Sequence, residues 1–205
     1  MKKNKLILFD WGGIVEDSDS FKQAWYDLFA DCGYDEADAH RRIQAYELSA
    51  IKTEEEFRQT YQSIKDEFNL EISFDDFKRL YYLHVSDTKY YPEVAEYEHS
   101  LKDECYIGIL SNLCIYDKER IDKQLGLANY DYVFLSFEIG YRKPNLKIFE
   151  YVLNNVPFKP EDILFIDDLD LNIEAASSLG IRTCKITGKE LDKIKQVCKE
   201  FIEEI

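Results

Sequence analysis

The short apolar run Leu6-Ile-Leu-Phe9 stops at Asp10 and passes straight into Trp11-Gly12-Gly13, so a carboxylate is carried out of a buried strand into a glycine turn. The pattern recurs downstream. Tyr106-Ile-Gly-Ile-Leu110 runs into Ser111-Asn112, and Ile163-Leu-Phe-Ile166 runs into Asp167-Asp168. In an open parallel sheet, ligands bind in the crevice outside the carboxyl ends of the strands, where side chains leave the packed core while the backbone still holds them. Three apolar strands that end in polar groups therefore aim those groups at one place, and Lys143, in Gly140-Tyr-Arg-Lys-Pro144, can bring the positive charge such a cluster needs.

The rest of the chain alternates in a way that suits this arrangement. After Pro92, which fits the first turn of a helix, strand and helix patterns follow one another, with strands expected near 105–110, 132–136, 163–166 and 182–186. That alternation predicts a parallel sheet in an α/β fold. Gly126 and Gly180 stand where left-handed helix caps are expected. Between about Asp17 and Val85 the period is helical instead, as in Phe21-Lys-Gln-Ala-Trp25-Tyr-Asp-Leu28-Phe29. Thr53-Glu-Glu-Glu56 and Ser73-Phe-Asp-Asp76 each have the form of a capping box that opens a helix, and Phe57, Tyr61, Ile64 and Phe68 mark one apolar face.

With 205 residues there is room for one α/β core and a small second lobe. The formal charge of −15, from 41 acidic and 26 basic residues, repels nucleic acid and anionic lipid and offers no counterion release, so neither is an expected partner. An anionic phosphate must then be held locally, by a lysine and a divalent metal. Met1-Lys-Lys-Asn-Lys5 is followed by too short an apolar stretch for a signal peptide, and no run approaches the ~18 residues of a membrane helix, so a cytoplasmic location is expected. The five cysteines, Cys32, Cys105, Cys114, Cys184 and Cys198, are odd in number and unclustered, which favours buried reduced thiols over a zinc site or disulfide scaffold. Cys114 lies near Ser111, but His40, His84 and His99 show no arrangement that would activate it.

Taken in order, Phe9-Asp-Trp-Gly-Gly13, Leu110-Ser-Asn112, Tyr141-Arg-Lys-Pro144 and Phe165-Ile-Asp-Asp168 resemble the motifs of the haloacid dehalogenase superfamily of hydrolases. The resemblance implies a Rossmann-like core with a five-stranded parallel sheet, its first strand central, formed by residues 1–16 and 89–205. It also implies a helical cap over 17–88 that closes on the site and selects the substrate through side chains such as Trp25, Tyr46 or Tyr61. Asp10 matches the nucleophile that forms an aspartyl phosphate. Ser111 and Asn112 match the segment whose hydroxyl and backbone amides hold phosphate oxygens, and Lys143 the lysine that neutralises nucleophile and phosphate. Asp10, the Gly12 carbonyl, Asp168 and Asp167 match the set that holds Mg²⁺, a hard cation that relieves the repulsion of adjacent carboxylates. Asn172 either orients that set or serves a helix N-terminus, and Arg142 is expected to be structural or a salt-bridge partner.

One position departs from the pattern. Family phosphatases usually carry a second aspartate two residues after the nucleophile, as general acid and base, and here Gly12 stands in its place. Loss of a general acid is worth ~10² to 10⁴ in rate, which matters most for a poor leaving group. A branch of the superfamily that contains glucose-1-phosphate phosphatases shares this glycine. The resemblance thus implies a Mg²⁺-dependent phosphatase acting on a small phosphate ester, with a sugar 1-phosphate suited to the missing acid. Two other functions fit parts of the pattern: a metal-free 2-haloacid dehalogenase, against which Asp167 and Asp168 weigh, and a non-catalytic phosphate-binding or regulatory protein.

Overall fold

A computed structural model describes residues 4–34 and 39–204. The side chain of His40 lies outside the described residues. In chain order the elements are β1 (Leu6–Phe9), α1 (Ser18–Asp31), α2 (Ala39–Ile43), α3 (Glu54–Phe68), α4 (Phe74–Val85), α5 (Pro92–Ser100), β2 (Tyr106–Ser111), α6 (Lys118–Leu125), β3 (Tyr132–Leu135), α7 (Ser136–Ile139), α8 (Leu146–Asn154), β4 (Ile163–Asp167), α9 (Asp170–Ser178), β5 (Arg182–Lys185) and α10 (Leu191–Glu203). The five strands form one parallel sheet in the order β3-β2-β1-β4-β5, with the first strand central as expected.

Alternation along β1 explains why both faces of the sheet are covered. Ile7 and Phe9 pack with Val94 of α5, Ile121 of α6 and Ile194 of α10, whereas Leu6 and Leu8 pack with Phe149 of α8 and Ala176 of α9. All four β1 residues are buried, which is why this strand reads as an unbroken apolar run. The register also sets the functional geometry. Phe9 pairs with Ile109 on one side and Ile166 on the other, so Asp10, Ser111 and Asp167 leave the sheet next to one another.

The insertion between β1 and β2 has its own apolar centre, in which Leu28 and Phe29 of α1, Ile64 of α3 and Phe77 of α4 are almost fully buried. It enters and leaves the sheet layer through a narrow ribbon. Asp17 donates its amide to the Lys89 carbonyl (2.9 Å), Tyr91 donates to Val15 (2.7 Å), and Glu16 bridges Tyr90. Cys114 and Tyr116, from the loop after β2, join the insertion's apolar cluster and seat it on the sheet layer.

The helix ends follow the sequence with one exception. Thr53 and Glu56 form a complete capping box, Pro92 opens α5, and Gly126 caps α6 in the left-handed conformation. Ser73 accepts from the Asp76 amide at 3.1 Å, but the Asp76 carboxylate meets the Ser73 hydroxyl rather than its amide. The side chain of aspartate is one methylene shorter than that of glutamate and does not make the return bond, so this is a single N-cap.

Candidate active site

Asp10 is anchored on three sides. One carboxylate oxygen accepts from the Trp11 amide (2.7 Å) and the Ser111 hydroxyl (2.8 Å), and the other lies 2.8 Å from Lys143 Nζ. Lys143 is fully buried and also meets Asp167 at 2.7 Å. Burial works against its charge, but Asp10 and Asp167 outweigh that and hold the ammonium above its ordinary pKa. Burial pushes Asp10 up to about 7; Lys143 opposes this, and Asp167 and Asp168 add to it.

Lys143 is fixed by Asn112. Its amide donates to Asn112 Oδ1 (2.8 Å), and Asn112 Nδ2 donates to its carbonyl (2.9 Å). The Asn112 side chain is therefore spent on the backbone of the lysine loop, which leaves its main chain to face a ligand. A short loop then leads to α8, where Asn145 caps the helix by accepting from the Lys147 amide.

The two adjacent aspartates have different surroundings. Asp167 accepts from Lys143 Nζ, from the Leu169 amide (2.9 Å) and from Asn172 Nδ2, which is 2.9 Å from both its oxygens. Asn172, buried on α9, thus orients the acidic pair. Among the side chains of the described residues, the Ser18 hydroxyl alone donates to Asp168, by a long contact (3.3 Å), and burial raises the Asp168 pKa. Oxygens of Asp10, Asp167 and Asp168 all lie within 4.8 Å of one another. Three carboxylates gathered around one ammonium form an oxygen-rich, charge-unbalanced donor set, which fits a hard divalent cation.

The turn after Asp10 explains one of its two glycines. Gly13 has φ +76°, and a β-carbon there would fall 2.2 Å from Asp168. Gly12 is different, because a β-carbon would meet nothing within 4 Å.

These groups open into a cavity of about 240 Å³ between sheet and insertion, lined also by Glu16, Phe21, Trp25, Leu48, Tyr81, Asp117 and Arg142. Trp25 reaches it, but Tyr46 is bonded to Glu67, and Tyr61 donates to the Ile72 carbonyl within the insertion (3.0 Å). Cys114 lines the wall with its thiol pushed far above its ordinary pKa by burial. The five cysteines form no disulfide. His84 meets Asp31, and His99 packs on Tyr130.

Sequence reasoning missed a second charged cluster in the wall. Arg120 of α6 bridges Glu16 in the ribbon and Asp117 (2.8 Å), Thr88 donates to Glu16 (2.6 Å), and Tyr81 of α4 donates to Asp117 (2.7 Å). It also missed Ser18 and the buried Ser136, whose hydroxyl accepts from the Leu113 amide and donates to the Ser49 carbonyl of the insertion. Apart from the Arg120–Asp117 pair, these contacts join residues far apart in the chain and leave no local pattern.

A parallel sheet covered by helices on both faces, whose central strand ends in a lysine-paired aspartate beneath a helical insertion, defines a Rossmann-like α/β class with an inserted helical layer. Residues 7–186 match the haloacid dehalogenase-like hydrolase family, and the chain belongs to it. A D-ribitol-5-phosphate phosphatase from Bacteroides thetaiotaomicron is 26% identical over 194 residues, covering 87% of this chain and 90% of that protein. A predicted HAD-like family hydrolase from Porphyromonas gingivalis has the same fold, with TM-score 0.76 and 24% identity over 98% of this chain and 99% of its own. A HAD family enzyme from Bacteroides thetaiotaomicron, solved in complex with magnesium and inorganic phosphate, aligns with TM-score 0.66 and 21% identity over 92% of this chain and 96% of its own. No helix among the described residues is long and apolar enough to cross a membrane.

Proposed function

We propose that this protein is a Mg²⁺-dependent phosphatase that hydrolyses a small phosphate monoester through an aspartyl phosphate on Asp10. The observation that carries this is the placement of Asp10: buried at the end of the central strand, fixed by Ser111 and Lys143, and open to a cavity with Asp168 beside it. Relatives with phosphatase activity and a neighbour that binds magnesium and phosphate support it.

In this mechanism Asp10 attacks phosphorus in line, the ester P–O bond breaks, and the leaving oxygen departs with its electron pair and is protonated from water. A water then attacks the phosphorus of the acyl phosphate, releasing inorganic phosphate and restoring Asp10. Lys143 balances charge on Asp10 and on the phosphoryl oxygens. The Ser111 hydroxyl and the main chain at Asn112 hold those oxygens, while Asn112 keeps Lys143 in place. Asp10, Asp168 and the Gly12 carbonyl would hold the metal, with Asp167 beside them braced by Asn172. When bound, Mg²⁺ supplies positive charge where the transferring phosphoryl group carries negative charge.

Gly12 supplies no proton, so esters whose leaving oxygen departs without protonation, a sugar 1-phosphate or an aryl phosphate, are the favoured substrates. The cavity lies below the ~300 to 1,000 Å³ of drug-sized sites, which limits the leaving group to a small one. The test is phosphate release from a panel of sugar, alkyl and aryl phosphates with Mg²⁺ and with EDTA. Turnover that stops in EDTA is expected. Equal rates in chelator, or halide release from a 2-haloacid without metal, would overturn the proposal.

A further inference from the structure

Most arginines in this acidic chain have found a carboxylate. Arg42 pairs with Glu67, Arg58 with Asp75, Arg79 with Asp76, Arg120 with Glu16 and Asp117, and Arg182 with Glu204. Arg142 has no carboxylate within ion-pair distance among the described residues. Its guanidinium is half-buried in the cavity wall and donates only to neutral oxygens of the insertion, the Gln44 carbonyl and Gln44 Oε1, both at 3.2 Å. Of the two roles expected for Arg142, a salt bridge is not seen among the described residues, and its structural contacts are these two bonds to Gln44. Two long bonds to amide oxygens occupy part of a fork that has five N–H donors, and leave its charge uncompensated.

A half-buried guanidinium with no ion-pair partner among the described residues and with free N–H donors facing a cavity is suited to an anion that arrives from outside. Burial lowers the Arg142 pKa, and Glu47 counters this only through space. The acidic wall formed by Glu16 and Asp117 does not compete for it, because Arg120 already answers those charges. Lys143, next in sequence, is turned into the Asp10–Asp167 pair, so two adjacent cations serve two separate places in one cavity: one at the phosphoryl site and one at the wall contacted by the insertion.

We infer that Arg142 is a specificity-determining residue that binds an anionic group, a carboxylate or a second phosphate, at the end of the leaving group remote from the scissile ester. This rests on the phosphatase assignment and narrows its substrates to esters with two anionic groups, such as a phosphorylated acid or a sugar bisphosphate. Gln44 then holds the guanidinium in place until the anion takes over its free donors.

Two matched pairs test this: 4-carboxyphenyl phosphate against phenyl phosphate, and glucose 1,6-bisphosphate against glucose 1-phosphate. In the wild type, kcat/KM for the member with two anionic groups in at least one pair is expected to exceed that of its partner with one by tenfold or more, mainly through KM; which pair responds separates carboxylate from phosphate. Arg142→Gln should reduce that ratio at least tenfold, and Arg142→Lys should restore part of it. A wild-type ratio near one in both pairs, or equal loss for both members in Arg142→Gln, would overturn the inference. Calorimetric binding of phosphonoacetate and methylphosphonate in Mg²⁺ buffer gives a readout independent of turnover. Were no ester hydrolysed, a tenfold preference for phosphonoacetate that Arg142→Gln removes would still uphold the anion site, and no preference would reject it.

Discussion

Lys143 lies between Asp10 and Asp167 beneath the cavity, and Arg120 lies between Glu16 and Asp117 in its wall. Both clusters are buried and both set one cation between two carboxylates, yet they are finished differently. Around Arg120 the remaining acceptors are met by Thr88, Tyr81 and the Cys114 amide, and the guanidinium stacks on Trp11 at 4.4 Å. Around Lys143 a third carboxylate, Asp168, is added with little to satisfy it. A cluster that braces is closed by the protein's own donors, whereas one that reacts keeps oxygen atoms in reserve.

Four substitutions can break or sharpen this contrast. Asp10→Asn should lower phosphate release by ~10⁴-fold or more, as nucleophile removal does, while the melting temperature stays level or rises because a crowded negative charge is gone. Arg120→Met should do the reverse. It strands two buried carboxylates and should cost about 3 to 5 kcal/mol in denaturant unfolding, with kcat much less affected in the fraction that remains folded. If both variants lose stability equally, the distinction between the two clusters is wrong.

Glu98 provides a buried carboxylate with no cation at all. It accepts from Tyr130 at 2.5 Å, its other oxygen has no partner, and burial pushes its pKa up to about 8, with the Tyr130 bond opposing. Because the folded value exceeds the unfolded one, its contribution to stability is complete below about pH 4.5 and is lost as the pH rises towards 8. Glu98→Gln should therefore gain on the wild type across that interval, by on the order of a few kcal/mol at its upper end, as read by melts at pH 4.5 and 8.5. A constant difference between the two pH values would show that this carboxyl does not hold its proton in the fold.

The smallest effect is expected from Gly12→Asp. The open space at this position removes the steric objection, so stability should change by less than about 1 kcal/mol. If proton transfer limits turnover, the ratio of alkyl to aryl phosphate hydrolysis should rise by roughly 10- to 100-fold. A ratio that does not move would mean that bond cleavage is not the slow step.

The centre of the sheet was legible because β1, β2 and β4 are buried on both faces and stand out as apolar runs, each ending at a site residue. Asp10, Ser111 and Asp167–Asp168 could be read for that reason, Lys143 could be read from its Lys-Pro motif, and the structure brings them to one place. Asn112 was read as a phosphate contact, and its side chain proves to be a clamp on the backbone of Lys143. The Arg120–Glu16, Ser18–Asp168 and Ser136–Leu113 contacts were invisible because the partners lie 23 to 150 residues apart and depend on how the insertion seats on the sheet. Trp25, Tyr46 and Tyr61 were aromatic residues of the insertion whose orientation the sequence does not assign, and only the packed fold separates the one that faces the cavity from the two that do not.

Gly12 and Gly13 are neighbours of identical chemistry with opposite tolerances. At residue 13 the left-handed backbone and the Asp168 carboxylate together leave no volume for even a methyl group, so its identity is dictated by shape. At residue 12 nothing in the surroundings forbids a side chain. Randomising this dipeptide and selecting only for folded protein should return a wide alphabet at the first codon and a single letter at the second.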